Sequence, residues 1–443
     1  MACLHAPTLV YNTLLVYTRR VHKTKYVPHS CARRAAEIDA RCACLPPNHN
    51  IRFFLKGITS LQQLTGQEHD QIPRFLLRIL VNLPLPGRES PSRLIRALRA
   101  LLDFLLLAKL PIHSTTSIQR LQKACQRFHD NEDIFVDLGI RSNFRLPKLH
   151  ALNHYPASIR YFGSLDNFDT QYTERLHIDM AKDAYCASNH KEEYPQKTSP
   201  CRTLTMTKYS SVRVVSLATL MDTALDHRAP MFDIAFRCFA LEHLRPELIR
   251  RRGALEENAE WLTISFDRVS TYHRIKFRSI DYTQKTSTVD CILVWPRRFD
   301  RYKQVIPARF DTALVYVNDA SRELSYLTDT RVAQVRVVFK LPNAAYNSLL
   351  GQLPEAERPG PFVAYVEWFS PFPTTSHPDH GMYHVKCSLA DRGCSRLCSV
   401  INLIPRFPAG GIPDGWTSSN VLDKYNDFWF GEFTDDHQYR SLM

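Results

Sequence analysis

The stretch Val332-Ala-Gln-Val-Arg-Val-Val-Phe-Lys-Leu341 shows the fold class of the second half of the chain most clearly. Two sets of residues alternate within it: Val335, Val337 and Phe339 with Arg336, Val338 and Lys340. A period of two residues is typical of a β-strand with one buried face. The pattern therefore predicts a half-buried strand at this position.

Other short runs of the same kind lie on both sides of this stretch and are separated by turn residues. They cover residues 261–266, 273–277, 289–295, 311–317, 362–369, 381–388 and 398–404. Seven or eight short strands at this spacing are typical of small β-barrels and β-sandwiches. The sequence predicts a β-rich, barrel- or sandwich-like C-terminal domain over residues 261–443.

Upstream of residue 200 the apolar period changes to three and four residues, which indicates helices. After Ser90-Pro91, which predicts a helix start, leucines recur at positions 94, 98, 101, 102 and 105, and Pro111 ends the helix. Residues 117–128 and 173–187 repeat the pattern. We expect an α+β protein with a basic leader over 1–36, a helical region over 37–199 and a helical connector over 200–260.

Composition excludes several classes of protein. Among 443 residues there are only 14 glycines, and no glycine-rich phosphate loop motif occurs. The 12 cysteines are too few for a disulfide scaffold in a chain of this length, and no secretory signal precedes them. No apolar run reaches the length of a membrane span. We expect an intracellular protein with reduced thiols, no membrane partner and no small-molecule substrate.

The net charge of +13 is concentrated near the N-terminus, because residues 1–100 hold 15 Lys and Arg against 5 Asp and Glu. The rest of the chain holds 42 against 39. A basic N-terminal region predicts a polyanion partner, most simply DNA, with salt-dependent phosphate contacts. The candidate contacts are Arg19, Arg20, Lys23, Lys25, Arg33 and Arg34, together with Arg93, Arg96 and Arg99 on the predicted helix. The alternative is an ordinary solvated surface.

Residues 146–183 form the densest polar region. His150 and His154 are one helical turn apart, and so are Glu174 and His177. Such spacing can present a carboxylate to a divalent metal. The alternative is histidines satisfied in a polar core and a salt bridge on a helix surface.

Two groups of cysteines and histidines also contain residue types that bind metal ions. One is Cys42-Ala-Cys44 with His49. The other combines Cys387, Cys394 and Cys398 with His380 and His384. Neither has the paired spacing of a zinc finger. Buried, reduced thiols are the alternative that we favour.

Longer motifs in this chain resemble a known family. The phrase Lys148-Leu-His-Ala-Leu-Asn-His-Tyr-Pro-Ala-Ser-Ile-Arg-Tyr-Phe-Gly163 is followed by Thr173-Glu-Arg-Leu-His-Ile-Asp179 and Ala187-Ser-Asn-His-Lys191. Further stretches that match include 38–52, 128–135, 204–208, 307–311, 332–339, 364–372 and 416–420. This pattern is similar to the carboxy-terminal part of fungal Plavaka-type transposases, which are CACTA-like and related to Kyakuja, Dileera and Zisupton elements.

The resemblance implies an RNase H-like core with a helical insertion, in which three carboxylates hold two divalent ions, Mg²⁺ or Mn²⁺, for attack on a DNA phosphodiester. Glu174 matches the third carboxylate and is the expected catalytic and metal-binding residue. Arg175 lies beside it, and His150, His154 and His177 are expected to support the site. The family also implies the nucleus as the location, and self-association or a full-length transposase as partners.

The chain departs from the family in two places. No residues match the strands that carry the first two carboxylates, and a helical segment of the family is missing after Lys191. We therefore expect a truncated, relic-like, transposase-derived protein that binds no metal and catalyses neither DNA cleavage nor strand transfer by itself, but retains weak DNA binding.

Two alternatives to this function remain open. The β-rich half can serve as a protein-interaction or chromatin-associated module. An active nuclease would require the missing carboxylates from upstream sequence or from a partner chain.

Overall fold

The protein is described from a computed structural model. The structure describes residues 29–47, 51–52, 54–61, 64–83, 85, 91–138, 143, 147–165, 202–206, 210–222, 227, 229–250, 253–280, 287–316, 330–355, 358–395 and 397–431.

The first half of the described chain is helical, as the leucine spacing predicts. Its helices are α1 (His29–Ala43), α2 (Gly66–Leu80), α3 (Pro91–Ala108), α4 (Thr115–His129), α5 (Ile134–Asp137), α6 (Pro147–Leu152) and α7 (Tyr155–Phe162). Capping boxes begin α2, at Thr65 and Glu68, and α4, at Ser114 and Ser117. The helix predicted over 173–187 lies outside the described residues.

The connector over 200–260 is not only helical. Strands β1 (Arg202–Met206) and β2 (Val212–Ser216) precede α8 (Leu217–Met221), α9 (Phe232–Leu244), a 3₁₀ turn (Pro246–Arg250) and α10 (Ala254–Ala259). Both strands pair with strands that lie beyond residue 260. Both segments are rich in Thr or Val, which favour strands, so the helical interpretation of the connector is wrong over these residues.

Strands dominate the rest of the chain. They are β3 (Arg268–Thr271), β4 (Arg274–Ile280), β5 (Ser287–Trp295), β6 (Arg298–Phe299), β7 (Val305–Ile306), β8 (Arg309–Phe310), β9 (Thr312–Tyr316), β10 (Thr330–Lys340), β11 (Phe362–Phe369), β12 (Tyr383–Ser395), β13 (Leu397–Ile401), β14 (Leu403–Pro405) and β15 (Asp427–Phe430). Helices α11 (Asn343–Leu350) and α12 (Val421–Lys424) interrupt them. The α+β prediction is confirmed, whereas the strand predicted at 261–266 is absent from this described segment.

The sheets are antiparallel and do not close into a barrel. The small sheet runs β1-β4-β5-β8, and the large one runs β13-β9-β10-β11-β12-β15-β14, with β2 and β3 beside it. The two outermost strands of the large sheet, β13 and β14, are separated in the chain by Asn402 alone. Because these neighbours in the chain lie at opposite ends of the strand order, the sheet curves strongly. In the described ladders β13 pairs with β9 and β14 with β15, but not with each other. The expectation of a barrel is therefore wrong.

The strand β10 is buried on both faces, so the half-buried interpretation of residues 332–341 is also wrong. A bulge between Val335 and Val337 shifts the register against β11. As a result Val337 and Phe339 pack towards α9, while Val335 and Val338 pack towards the small sheet. A central strand covered by a helix on one side and a sheet on the other has no solvent face.

The helical region and the last strands share one hydrophobic core. Met382, Ile404, Phe407 and Trp429 belong to the same cluster as the apolar faces of α2, α3 and α4. The leucines at positions 98, 102 and 105 are all buried in it. C-terminal segments therefore cover the apolar faces of these helices.

Candidate nucleic-acid interface

The small sheet presents one apolar and one basic face. Ile275 and Phe277 on β4 point into the core shared with the large sheet. Arg274 and Lys276, which alternate with these two residues along β4, are exposed. This alternation follows from the period of two along a strand. We call the solvent side, with Arg274 and Lys276, the basic sheet face.

At one end of this sheet, β5 and β8 continue into a hairpin that leaves the core. We call residues 295–310 the basic hairpin. The β5–β8 ladder ends with Trp295 opposite Arg309. The β6–β7 ladder then pairs Arg298 with Ile306 and Phe299 with Val305.

The tip of the basic hairpin is fixed by Asp300. Its carboxylate accepts hydrogen bonds from the backbone N–H of Tyr302 at 2.7 Å and of Gln304 at 2.8 Å. Lys303 has φ +61°, in the left-handed region where a non-glycine residue is disfavoured. Because Asp300 is used in the turn, the neighbouring basic side chains extend from a defined tip into solvent.

Aromatic rings lie between these cations. The guanidinium of Arg298 lies 4.5 Å from the ring centroid of Trp295, and that of Arg301 lies 4.6 Å from Tyr302. Phe299 and Tyr302 remain 64% and 67% exposed. Exposed rings with flanking cations can stack on bases while the cations contact phosphates.

The charge of this region is strongly positive. Residues 274–310 hold nine Lys and Arg against three Asp and Glu. Asp290 is buried, and Asp300 forms the hairpin turn. Among the described residues, Arg298, Arg301 and Lys303 form no ion pair. The positive charge of these three side chains is therefore presented to solvent.

Acidic residues at the base of the hairpin serve the fold. Asp311 accepts a 2.9 Å hydrogen bond from Arg309 Nε and another from the backbone N–H of Leu293. Beside the hairpin, burial lowers the pKa of His273, and the charge of Arg298 lowers it further. A neutral His273 adds no charge of its own to the surface.

The sequence prediction placed DNA contacts elsewhere. Arg19, Arg20, Lys23 and Lys25 lie outside the described residues, and Arg33 and Arg34 are described only as backbone of α1. The three arginines of α3 point in different directions and each meets an acidic side chain. Arg93 pairs with Asp137 at 2.6 Å, Arg96 with Asp379 at 2.7 Å and Arg99 with Asp103 at 2.9 Å. They do not form a free cationic stripe.

The structure brings two of the predicted supporting residues together. His150 lies on α6 near the corner between α6 and α7, and its Nε2 lies 3.2 Å from Nε2 of His154. Both side chains are exposed. Glu174, Arg175 and His177 lie outside the described residues, so the catalytic assignment stays a prediction.

The two cysteine groups are only partly described, because His49 and the side chain of Cys398 lie outside the described residues. Cys387 and Cys394 lie on the same strand, β12, but pack into different hydrophobic clusters. Cys42 and Cys44 are buried in or just after α1. Burial raises the pKa of the Cys42, Cys44 and Cys394 thiols, and Cys387 packs against a hydrophobic cluster. No described group of three or more His, Cys, Asp and Glu has the arrangement of a metal site.

The basic hairpin was missed because charge was summed over long segments. Residues 261–443 hold 21 Lys and Arg against 19 Asp and Glu, which suggests a nearly neutral domain. A count over a window of about forty residues would have found the segment 274–310. The interleaved pattern Trp295-Pro-Arg-Arg-Phe-Asp-Arg-Tyr-Lys303 was the second available signal.

Comparisons with known proteins found no match: no protein-family model, curated protein or solved structure matches the chain. Within the described helices, none is long and apolar enough to cross a membrane.

Proposed function

We propose that this chain is a transposase-derived protein whose activity is DNA binding, and that the basic hairpin and the basic sheet face form the binding surface. The observation that carries the proposal is the hairpin itself, on which Arg298, Arg301 and Lys303 flank two exposed rings without an acidic partner among the described residues. The resemblance to Plavaka-type transposases supports DNA as the polyanion.

The geometry favours DNA with unpaired bases. Phe299 and Tyr302 are exposed on the narrow tip, where a base can stack on either ring, and such stacking contributes about 1–3 kcal/mol per base. The cations beside them contact phosphates, which makes binding depend on salt and only weakly on sequence. Arg274 and Lys276 extend the same charge along the sheet.

The test is fluorescence anisotropy with labelled single-stranded and duplex oligonucleotides and the full chain, between 50 and 300 mM salt. In the variant Arg298→Glu, Arg301→Glu, Lys303→Glu, we expect at least a tenfold loss of affinity. The slope of log affinity against log salt should decrease in magnitude by about 2, since each phosphate contact contributes roughly 0.7–0.9. Phe299→Ala with Tyr302→Ala should weaken single-strand binding more than duplex binding.

A matched control changes the same number of exposed cations elsewhere. Lys56→Glu, Lys123→Glu and Arg160→Glu together alter the net charge equally but lie in the helical region. This control should retain most of the affinity. Equal losses in the two triple variants would refute a local site, and loss only on removal of residues 1–28 would assign binding to the N-terminal region.

A further inference from the structure

The corner between α6 and α7 holds a pair of histidines that the proposed DNA surface does not use. Leu149, Leu152 and Ile159 are buried in the helical core and fix the two short helices. Asn153, which precedes His154 in the chain, accepts a 3.4 Å hydrogen bond from the thiol of Cys125 on α4. The backbone that carries both imidazoles is therefore anchored, while the rings themselves face solvent.

The two rings bring the same nitrogen atom, Nε2, close to one another. Nε2 of His150 and Nε2 of His154 are 3.2 Å apart, and the ring planes are inclined at 80°. A metal bound to both at 2.0–2.1 Å would separate the nitrogens by about 3.3 Å at a tetrahedral angle and about 2.9 Å at a right angle. The observed distance of 3.2 Å falls between these values, so it matches the separation that two ligands of one metal ion require.

We propose that His150 and His154 form a two-histidine site for a divalent transition metal, of the class Zn²⁺, Ni²⁺ or Cu²⁺. Neutral imidazole is a preferred ligand of these ions, whereas Mg²⁺ and Ca²⁺ prefer oxygen. Since no third His, Cys, Asp or Glu of the described chain joins the pair, water or an external ligand completes the coordination. The site is exchangeable and open, unlike a closed structural zinc site.

The experiment is isothermal titration of the untagged full chain with Zn²⁺ and with Ni²⁺, in the absence of DNA. We expect one site that His150→Gln and His154→Gln each weaken by at least about tenfold, as loss of one of two ligands requires. The double variant, which keeps neither ligand, should bind more weakly than either single variant. Excess Mg²⁺ should not compete.

A spectroscopic readout separates this site from the other histidines of the chain. The electron paramagnetic resonance spectrum of one equivalent of Cu²⁺ should show two nitrogen ligands in the wild-type chain and lose one of them in either single variant. Arg160→Ala, an exposed change on α7, is the matched control and should leave both readouts unchanged. Unchanged affinity in the double variant, with an unchanged circular dichroism spectrum, would overturn the proposal.

Discussion

The guanidinium of Arg99 donates a 2.6 Å hydrogen bond to the backbone carbonyl of His380. The same side chain donates two bonds to the buried carboxylate of Asp103, at 2.9 and 3.0 Å. Arg99 thus joins α3 to the loop that leads into β12. An arginine that the sequence suggested as a phosphate contact is instead a link between the helical region and the β-rich half.

This link predicts that Arg99→Ala destabilises the fold without weakening DNA binding. The substitution removes the bond to His380 and leaves Asp103 with fewer partners in a buried position, so the free energy of unfolding should fall by about 2–4 kcal/mol. Urea denaturation measures the loss. Arg93→Ala, which breaks an exposed pair with Asp137, is the control and should cost less than about 1 kcal/mol. A drop in DNA affinity in a still folded Arg99→Ala protein would contradict the assignment.

Gly381 is packed directly against the same guanidinium. A Cβ atom at this position would lie 1.9 Å from an Arg99 nitrogen, and the backbone has φ +64°. Gly381→Ala should therefore lower the free energy of unfolding by about 1–3 kcal/mol, through backbone strain and displacement of Arg99.

Gly360 is the matched control for that substitution, because a Cβ there meets nothing within 4 Å. Gly360→Ala should change stability by less than about 0.5 kcal/mol. Similar thermal unfolding midpoints for the two alanine variants would show that the packing around Arg99 tolerates displacement.

Glu242 on α9 predicts a pH dependence of stability. Burial, assisted by the charge of Glu256, raises the pKa of Glu242 to about 7 from its ordinary value of 4.5. The folded chain then holds a proton that the unfolded chain releases, so stability is lost as pH rises from 4.5 through 7. Glu242→Gln keeps the shape and removes the ionisation. The variant should exceed the wild type by about 2 kcal/mol at pH 8 and match it near pH 4.5.

The measurement for Glu242→Gln is the urea midpoint at several pH values. Glu247→Gln, an exposed change in the 3₁₀ turn, serves as a control and should leave the wild-type profile unaltered. A constant difference between wild type and Glu242→Gln at every pH would exclude titration of Glu242 as its cause.

The elements best predicted from the sequence are those that local spacing determines. The leucines of α3 repeat at helical intervals, and the helix was expected where it lies. Residues 362–369 form β11 with the predicted bounds. In each of these segments the helical or strand pattern runs over the whole element. Residues that favour the start or the end of an element flank it.

Features that depend on distant partners were not predicted. The bulge in β10 leaves no trace in an alternating sequence, yet it moves Val335 and Val337 to opposite faces. The roles of Arg93, Arg96 and Arg99 depend on partners on other segments: the carboxylates of Asp137 and Asp379 and the backbone carbonyl of His380. By contrast, the spacing of His150 and His154 predicted that they share a face, and the turn between α6 and α7 does bring their rings together.

The shared core has a consequence for synthesis of the chain on the ribosome. Helices that are complete by residue 165 receive Ile404, Phe407 and Trp429 as core neighbours only after roughly 260 further residues have been made. At ~5–20 residues per second this takes roughly 13–50 s. During that interval the nascent helices lack part of their apolar cover, so we expect them to be prone to aggregation until the last strands emerge.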